Sequence, residues 1–235
     1  MRLDNYLVQN CICDSRNKAQ ELIKNGYVRV DKKVVTKPSF KCDNLIVDVD
    51  DVEQYVSRSA LKLNGILDLI DLQVEEMEAL DIGSSRGGFC EVLLQRGVKS
   101  VVALDVGSNQ LHPKIYDDDR VEVQENQDVR TYEPNRSFEL ITCDVSFISL
   151  HNILSDIQRL SLKHIIVLFK PQFEVGREVK RDNKGVVKDA KAVQVAQLKF
   201  EDATKLMGWN LHTSSESILS GKDGNVERLY YFTKD

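Results

Sequence analysis

From residue 59 onward the chain alternates between two periods of hydrophobicity. Over 59–72 the apolar positions Leu63, Ile66, Leu67 and Ile70 follow the i, i+3, i+4, i+7 spacing of a helix packed on something larger. Residues 79–83 then read as a strand leading into a helix over 89–96, and 100–106 as a strand followed by a looser segment. Short buried strands are predicted over 121–124, 140–143 and 165–169. A long helix is predicted over 192–207, with late strands at 218–219 and 229–232. Strands alternating with helices predict an α/β fold, a doubly wound parallel sheet whose last two strands form an antiparallel edge.

The first fifty residues follow a different pattern. Asp14 or Ser15 is placed to cap a helix that turns Ala19, Leu22 and Ile23 inward, and Gly26 closes it in the left-handed conformation. Strands over 27–30 and 33–35 flank a turn at Asp31-Lys32, and Lys37-Pro38 breaks the pattern. An acidic stretch over 42–55 holds one apolar run, Leu45-Ile46-Val47, and leads onward. Arg16, Gln20 and Lys24 recur every four residues, a polar and mostly basic face opposite the apolar one. That face is either a solvated helix surface or a contact for a polyanion.

Charge separates the same two regions. The whole chain carries −5, but residues 1–41 hold nine Lys/Arg (Arg2, Arg16, Lys18, Lys24, Arg29, Lys32, Lys33, Lys37, Lys41) against four acids. That leaves +5 on the first 41 residues and −10 on the other 194. A basic end on an acidic body is the asymmetry of a nucleic-acid-binding appendage. No run approaches the ~18 apolar residues of a membrane helix, and no signal segment follows Met1, so a cytoplasmic protein without a membrane partner is expected. Five cysteines (Cys11, Cys13, Cys42, Cys90, Cys143) show neither C-x-x-C pairing nor His/Cys zinc spacing, which predicts reduced thiols and no metal.

The segment Ala79-Leu80-Asp81-Ile82-Gly83-Ser84-Ser85-Arg86-Gly87-Gly88-Phe89 reads as a strand, a glycine turn and a helix start. A dinucleotide fingerprint would need glycine at 85, where serine stands, and no phosphate-binding G-x-x-x-x-G-K-[ST] occurs. A tight turn opening on a helix N-terminus suits a ligand with a carboxylate rather than phosphates. S-adenosylmethionine is such a ligand, and Asp105, at the end of the next strand, is placed to meet its ribose hydroxyls. Four polar residues fall at element ends on the ligand side of such a sheet: Lys62, Asp144, Lys170 and Glu227. A lysine ending an apolar strand, as Lys170 does, is costly to bury unless paired or functional. Structural salt bridges or a reaction site both fit.

These residues carry a resemblance. Arg2-Leu3-Asp4, Ser15-Arg16, Ala19-Gln20, Leu22-Ile23, Gly26 and Val28-Arg29-Val30 resemble the RNA-binding domain first seen in ribosomal protein S-four. Val56-Ser57-Arg58, the 81–89 loop, Asp144-Val145-Ser146-Phe147-Ile148-Ser149, Lys170-Pro171-Gln172-Phe173-Glu174 and the segment 221–227 resemble the TlyA family. These are ribosomal RNA cytidine 2′-O-methyltransferases with an FtsJ-like catalytic domain, also called haemolysins. The resemblance implies a Rossmann-like methyltransferase sheet over 59–235, an S-four-like α+β domain over 1–50 and a linker over 51–58. It implies a catalytic set of Lys62, Asp144, Lys170 and Glu227, and S-adenosylmethionine held by Asp81, Gly83, Ser84, Ser85, Gly87, Gly88, Phe89, Asp105 and Asp128. RNA contacts would come from Arg2, Arg16, Lys18, Lys24, Arg29, Lys32, Lys33 and Arg58, acting on ribosomal RNA in a large subunit as a monomer.

The chain departs from that pattern at Ser59-Ala60, at Asn126-Gln127-Asp128-Val129-Arg130, and at Asp31-Lys32, where a glycine is expected. Lys170 is the expected base, with Asp144 orienting it and Glu227 holding Lys62 or the ribose. Lys170-Pro171-Gln172-Phe173 favours an oxygen acceptor, since an N-methyltransferase would carry Asn/Asp-Pro-Pro-Tyr there. Residues 170–191 hold seven Lys/Arg against four acids, and their loop 176–185 either covers the site and grips RNA or is simply solvated. A 23S rRNA cytidine is the expected target, because neither end has a spare segment for further contacts, although 16S rRNA could be a second one. The rival classes are a catalytically silent ribosome-assembly factor and a membrane-lytic protein.

Overall fold

The computed structural model describes residues 1–13, 15–42, 45–49, 55–221 and 223–234, in two compact units, Met1–Arg58 and Ser59–Asp235. The first unit holds helices α1 (Leu3–Gln9) and α2 (Arg16–Lys24) and strands β1 (Val28–Val30), β2 (Lys33–Val34) and β3 (Val47–Val49), in the antiparallel order β2-β1-β3. Ser15 caps α2, its side chain accepting from the Lys18 amide at 3.2 Å, and Gly26 stands at φ +84. The alternative cap Asp14 and positions 51–54 of the expected linker lie outside the described residues. α1 carried no sequence signal strong enough to predict it, being seven residues long with Leu3 and Leu7 as its buried apolar face.

Between β1 and β2 the two-residue turn Asp31-Lys32 takes φ +48 and +67. A hairpin this tight needs left-handed backbone at both positions, which glycine adopts freely and other residues adopt at about 1–2 kcal/mol each. The missing glycine therefore leaves the turn intact.

Asp4 is fully buried and gathers three side chains. Arg2 donates to both of its oxygens at 2.9 Å, and Arg16 and Gln20 each donate at 3.0 Å. Two cations expected to meet RNA are thus tied to a carboxylate of their own unit, although their side chains stay 43% and 54% exposed. Lys24, Lys32 and Lys33 remain exposed.

The second unit opens with α3 (Ser59–Ile70) and β4 (Glu78–Ile82), then α4 (Gly88–Gln95), β5 (Ser100–Asp105), α5 (Pro113–Tyr116) and β6 (Val121–Glu125). After β7 (Phe138–Cys143) come α6 (Leu154–Leu160), β8 (Ser161–Phe169), α7 (Pro171–Glu174), α8 (Ala190–Leu206), β9 (Asn210–Glu216) and β10 (Arg228–Thr233). The seven strands run in the order β6-β5-β4-β7-β8-β10-β9. Pairings from β6 through β8 are parallel, and β10 joins β8 and β9 antiparallel, as the strand pattern predicts.

β8 is central, so Ile165, Ile166, Val167, Leu168 and Phe169 are all buried, the continuous apolar run of a strand covered on both faces. Phe200 from α8 packs on Phe169, Tyr230 and Phe232, with its ring 5.1 Å from that of Tyr230. Each such side chain contributes about 1.5–3 kcal/mol on burial. One strand expectation is corrected. Ile218 and Leu219 lie beyond the sheet, and β9 is the polar run Asn210–Glu216, an edge strand whose mostly exposed positions leave no apolar signature.

The Asp4 cluster has a consequence for acid stability. The Arg2 guanidinium, joined by Arg16 and Gln20, holds the Asp4 carboxyl well below the usual carboxylate range against the opposing effect of burial. A depressed folded value contributes stability above the unfolded pKa of ~4 and loses it as pH falls through the folded value. Asp4→Ala is expected to weaken the first unit by about 1–3 kcal/mol at neutral pH. Amide exchange over residues 3–30 should show that loosening, together with a shallower acid dependence than the unaltered chain.

Candidate active site

The parallel strands reverse their order of addition at β4. The chain goes outward through β5 and β6, then returns to the other side at β7. At such a switch point the connecting loops diverge and leave a crevice beyond the carboxyl ends of the strands. The loops after β4 and β7 touch at one point, where the Asp144 amide donates to the Ile82 carbonyl at 3.0 Å. Gly83 stands at φ +82, and a Cβ there would lie 3.0 Å from the Asp144 carbonyl oxygen. Glycine is required by both the backbone angle and the contact.

A cavity of ≈ 330 Å³ opens over this junction. Its wall includes Gly83, Ser85, Asp105, Asp128 and Asp144 of the predicted site, with apolar Ile82, Leu104, Val129 and Ile153. The Asp105 carboxylate accepts the Ser85 amide at 2.8 Å and the Gly107 amide at 2.7 Å, tying the glycine turn to the end of β5. Arg130 lowers the Asp128 carboxyl by donating to it. Asp81, Ser84, Gly87, Gly88 and Phe89 are buried behind the loop and do not line the cavity.

Asp81 is fully enclosed. Thr142 donates to it at 2.7 Å and the Cys90 thiol at 3.2 Å. Burial pushes its carboxyl up to about 7, against those two hydrogen bonds, and the Asp105 and Asp144 carboxylates add to the rise.

The four expected reaction residues form two ion pairs, both in the second unit. Lys62, on α3 and 6% exposed, donates to Glu227 Oε2 at 2.5 Å, and Glu227 is 3% exposed. Gly221 makes room for that carboxylate, since a Cβ there would fall 2.5 Å from Glu227 Oε1. Lys170 Nζ lies 2.6 Å from Asp144 Oδ1. Lys170 Nζ also donates to Ser146 Oγ at 2.9 Å, and the three donors of the ammonium allow both contacts. Each lysine thus faces a carboxylate. Pairing of Arg228 with Phe169 sets Glu227 and Lys170, the next residues outward, at the same end of the sheet.

A second cavity adjoins the first and shares Val106, Asp128, Ser146, Phe147 and Ile148 with it. Its far wall is Gln172, Phe173 and Val175 with Arg130, Arg177 and Arg181. Two neighbouring chambers separated by Ser146 and Phe147 suit a donor and an acceptor held on either side of the reacting atoms. Ser146, Phe147, Gln110 and Gln127 carried no role in the sequence reading. Ser146 and Phe147 lie inside a quoted motif and Gln127 inside the divergent segment 126–130, but Gln110 had no such signal.

Of the cations expected on RNA, Arg2 and Arg16 hold Asp4, and Lys18 lies 3.9 Å from Glu21. Arg29 and Arg58 are partly buried and have partners within the chain. Arg181 of the basic loop donates to the Val179 carbonyl at 2.8 Å and the Gln172 carbonyl at 3.2 Å, folding that loop on itself. Among the described residues no helix is long and apolar enough to cross a membrane.

The chain is similar to known proteins. The sequence profile of the FtsJ-like methyltransferases matches residues 55–234, and that of the S4 domain matches residues 1–44. The chain is 44% identical, over the full length of both, to the 23S rRNA (cytidine-2′-O)-methyltransferase TlyA of Campylobacter jejuni. It is 37% identical to the 16S/23S rRNA (cytidine-2′-O)-methyltransferase TlyA of Mycobacterium tuberculosis, over 96% of this chain and 87% of that one. A solved Streptococcus thermophilus protein, described as a candidate hemolysin, matches at TM-score 0.75 and 32% identity, over 100% of this chain and 88% of that one.

The buried Asp81 makes the second unit pH-sensitive. Its folded value lies above its unfolded one, so the folded chain holds a proton that the unfolded chain releases between pH ~4 and about 7. Stability from this group is therefore greatest below ~4 and declines as pH rises toward 7. Asp81→Asn should flatten that decline, giving a higher denaturation midpoint than the unaltered chain at pH 8 and a smaller difference at pH 5. Equal pH slopes in the two proteins would refute the assignment.

Proposed function

The chain belongs to the FtsJ-like methyltransferase family, in its TlyA branch, and on that premise we propose that it methylates the 2′-oxygen of a cytidine ribose in 23S rRNA, with S-adenosylmethionine as donor. The observation that carries this reading is the pair of buried lysine–carboxylate contacts, Lys62–Glu227 and Lys170–Asp144, of which Asp144 lines the first cavity.

The residues present fit the donor. Gly83, Ser85, Asp105 and Asp128 would hold a nucleoside with free hydroxyls, and the apolar wall would take its adenine. Asp144, which lines the first cavity, puts a carboxylate where a ligand's positive charge would be favoured. S-adenosylmethionine supplies a methyl group on a sulfonium, an electrophile in need of an aligned nucleophile.

Lys170 Nζ would take the proton of the ribose 2′-hydroxyl, for which it must first give up the proton it carries in its ion pair with Asp144, while that oxygen bonds to the methyl carbon and the carbon–sulfur bond breaks to leave a neutral thioether. Asp144 fixes Lys170 from one side and Ser146 from the other. Lys62, anchored by Glu227, presents a second buried cation that can hold the acceptor oxygen or its ribose. Such alignment of nucleophile and electrophile is worth about 7–11 kcal/mol of barrier when the geometry is right.

The RNA partner follows from the S4 domain and from the relatives' substrates. Lys24, Lys32 and Lys33 are exposed cations for phosphate contact, which supplies affinity but no sequence choice. A large-subunit context, a monomeric protein and a cytoplasmic site of action belong to the same reading. The 23S preference rests on the greater identity to the relative named for 23S rRNA alone.

Lys170→Ala should abolish methyl transfer, with donor affinity retained within a few-fold by calorimetry. Near-normal turnover of that variant would remove Lys170 from the role of base. Purified protein offered each unmodified ribosomal subunit with labelled donor at matched salt should label 23S rRNA and leave 16S rRNA near background. Equal incorporation into both would overturn the 23S preference.

A further inference from the structure

Two short segments carry the groups nearest the proposed reaction. One runs from Asp144 to Leu150 after β7, and the other from Lys170 to Glu174 after β8. They come from neighbouring parallel strands, but strand pairing fixes only their roots, Cys143 opposite Val167. Beyond the last pair each segment needs its own means of staying in place.

The first segment is strained. Phe147 stands at φ +67 and is 92% exposed. A bulky residue adopts that backbone conformation at a cost of about 1–2 kcal/mol, and such strain persists only where surrounding contacts impose it. Phe147 itself is held only by a tilted contact with Phe173, their ring centres 5.4 Å apart. The stronger constraint comes just after it. Glu174 Oε2 accepts the Ser149 hydroxyl at 2.6 Å, and Oε1 accepts the Leu150 amide at 2.8 Å. Both oxygens of one carboxylate therefore close the far end of the Asp144–Leu150 segment onto the far end of the Lys170–Glu174 segment. Asp144 and Ser146, the two groups that contact Lys170, lie between the Cys143 root and this closure.

We propose that Glu174 is a positioning residue, a two-point clamp that sets Asp144 and Ser146 against Lys170 without touching the reacting atoms. The inference rests on the reading of Lys170 and Asp144 as reacting groups. Burial raises the Glu174 carboxyl, while the Ser149 and Leu150 donors oppose that rise. A carboxylate kept in such a place needs its two donors, and they need it. Glutamine can reproduce the clamp, its carbonyl accepting the Leu150 amide and its NH₂ donating to Ser149 Oγ. Alanine can make neither contact.

The test compares the full-length unaltered chain with Glu174→Ala, Glu174→Gln and Ser149→Ala. For Glu174→Ala, kcat is expected to fall about a hundredfold, the scale of a misplacement near 1 Å, with donor Kd unchanged within threefold. Glu174→Gln should keep at least a third of kcat. Ser149→Ala, which removes one of the two bonds, should lose about tenfold. It decides the matter alone if Glu174→Ala fails to fold. Turnover of Glu174→Ala within threefold of the unaltered chain would overturn the clamp. So would donor affinity falling in step with kcat, which indicates general loss of structure, or a Gln variant as impaired as Ala. Amide exchange of Leu150 gives a readout independent of turnover: about tenfold faster in Glu174→Ala and unchanged in Glu174→Gln. If the unaltered chain transfers no methyl group to either rRNA, the proposed reaction fails, and this exchange result then decides the clamp.

Discussion

A hydrogen bond 3.0 Å long, from the Asp144 amide to the Ile82 carbonyl, joins the two loops that part at the sheet's switch point. The cavity exists because the loops diverge beyond that bond, and it is deep because Gly83 lets them approach so closely at its floor. Any side chain at Gly83 would push Asp144 outward, and with it the carboxylate that faces Lys170. The glycine turn is thus a spacing device for the loop across from it as well as a ligand cradle. Lys170 and Glu227 reach the same sheet end by strand register alone, which leaves only Lys62 to be brought in from a helix.

Four ionised groups at one buried sheet end would be prohibitive singly, since isolated charges in a protein interior cost several kcal/mol each. Arranged as Lys62–Glu227 and Lys170–Asp144 they cancel locally, and each pair has one member fixed by the backbone of a strand end. Pairing of this kind adds little net stability, because desolvation offsets most of the attraction. What it does provide is geometry: two amines at defined positions beside the cavity, neither free to seek water. The buried Asp81, by contrast, has no cation. It is satisfied by Thr142 and Cys90, and it stiffens the β4–β7–α4 junction at the expense of a titrating group inside the fold.

Local pattern made the sheet, the two domains' differing character and the ends of most long elements readable from the sequence. Hydrophobic period is a short-range signal, and β8 and α8 carry it strongly because one is buried on both faces and the other packs Ala196, Phe200 and Thr204 inward. β9 was misplaced because an edge strand with exposed residues has no such signal, and α1 was missed because seven residues give barely two turns. In the site, Lys62, Asp144, Lys170 and Glu227 could be chosen as costly polar residues at element ends. Their pairing was expected only in the light of the family resemblance, for Lys62 and Glu227 lie 165 positions apart and nothing local links them. Sequence distance likewise hides Asp4, which binds Arg16 and Gln20 of what the four-residue spacing presents as an open basic face.

Three carboxylates line the first cavity, and their existing partners determine where a ligand's positive charge would matter. Asp105 is occupied by the Ser85 and Gly107 amides, dipoles that satisfy it without neutralising it. Asp128 carries its own counter-ion in Arg130, 2.6 Å away. Asp144 has Lys170, 2.6 Å from its Oδ1, an amine that also donates to Ser146. Of the three, Asp144 is the one that faces the amine of a strand-end lysine, and it lines the first cavity alone, whereas Asp128 borders both. A cation arriving on the first chamber's side would compete with Lys170 for it and weaken the hold on that amine. Coulomb attraction near a protein surface is worth about 4 kcal/mol at 4 Å, so even a partial shift of this kind is large beside a single hydrogen bond. A positive charge held in the first cavity would thus act on Lys170 through Asp144, the one residue of the pair that lines it.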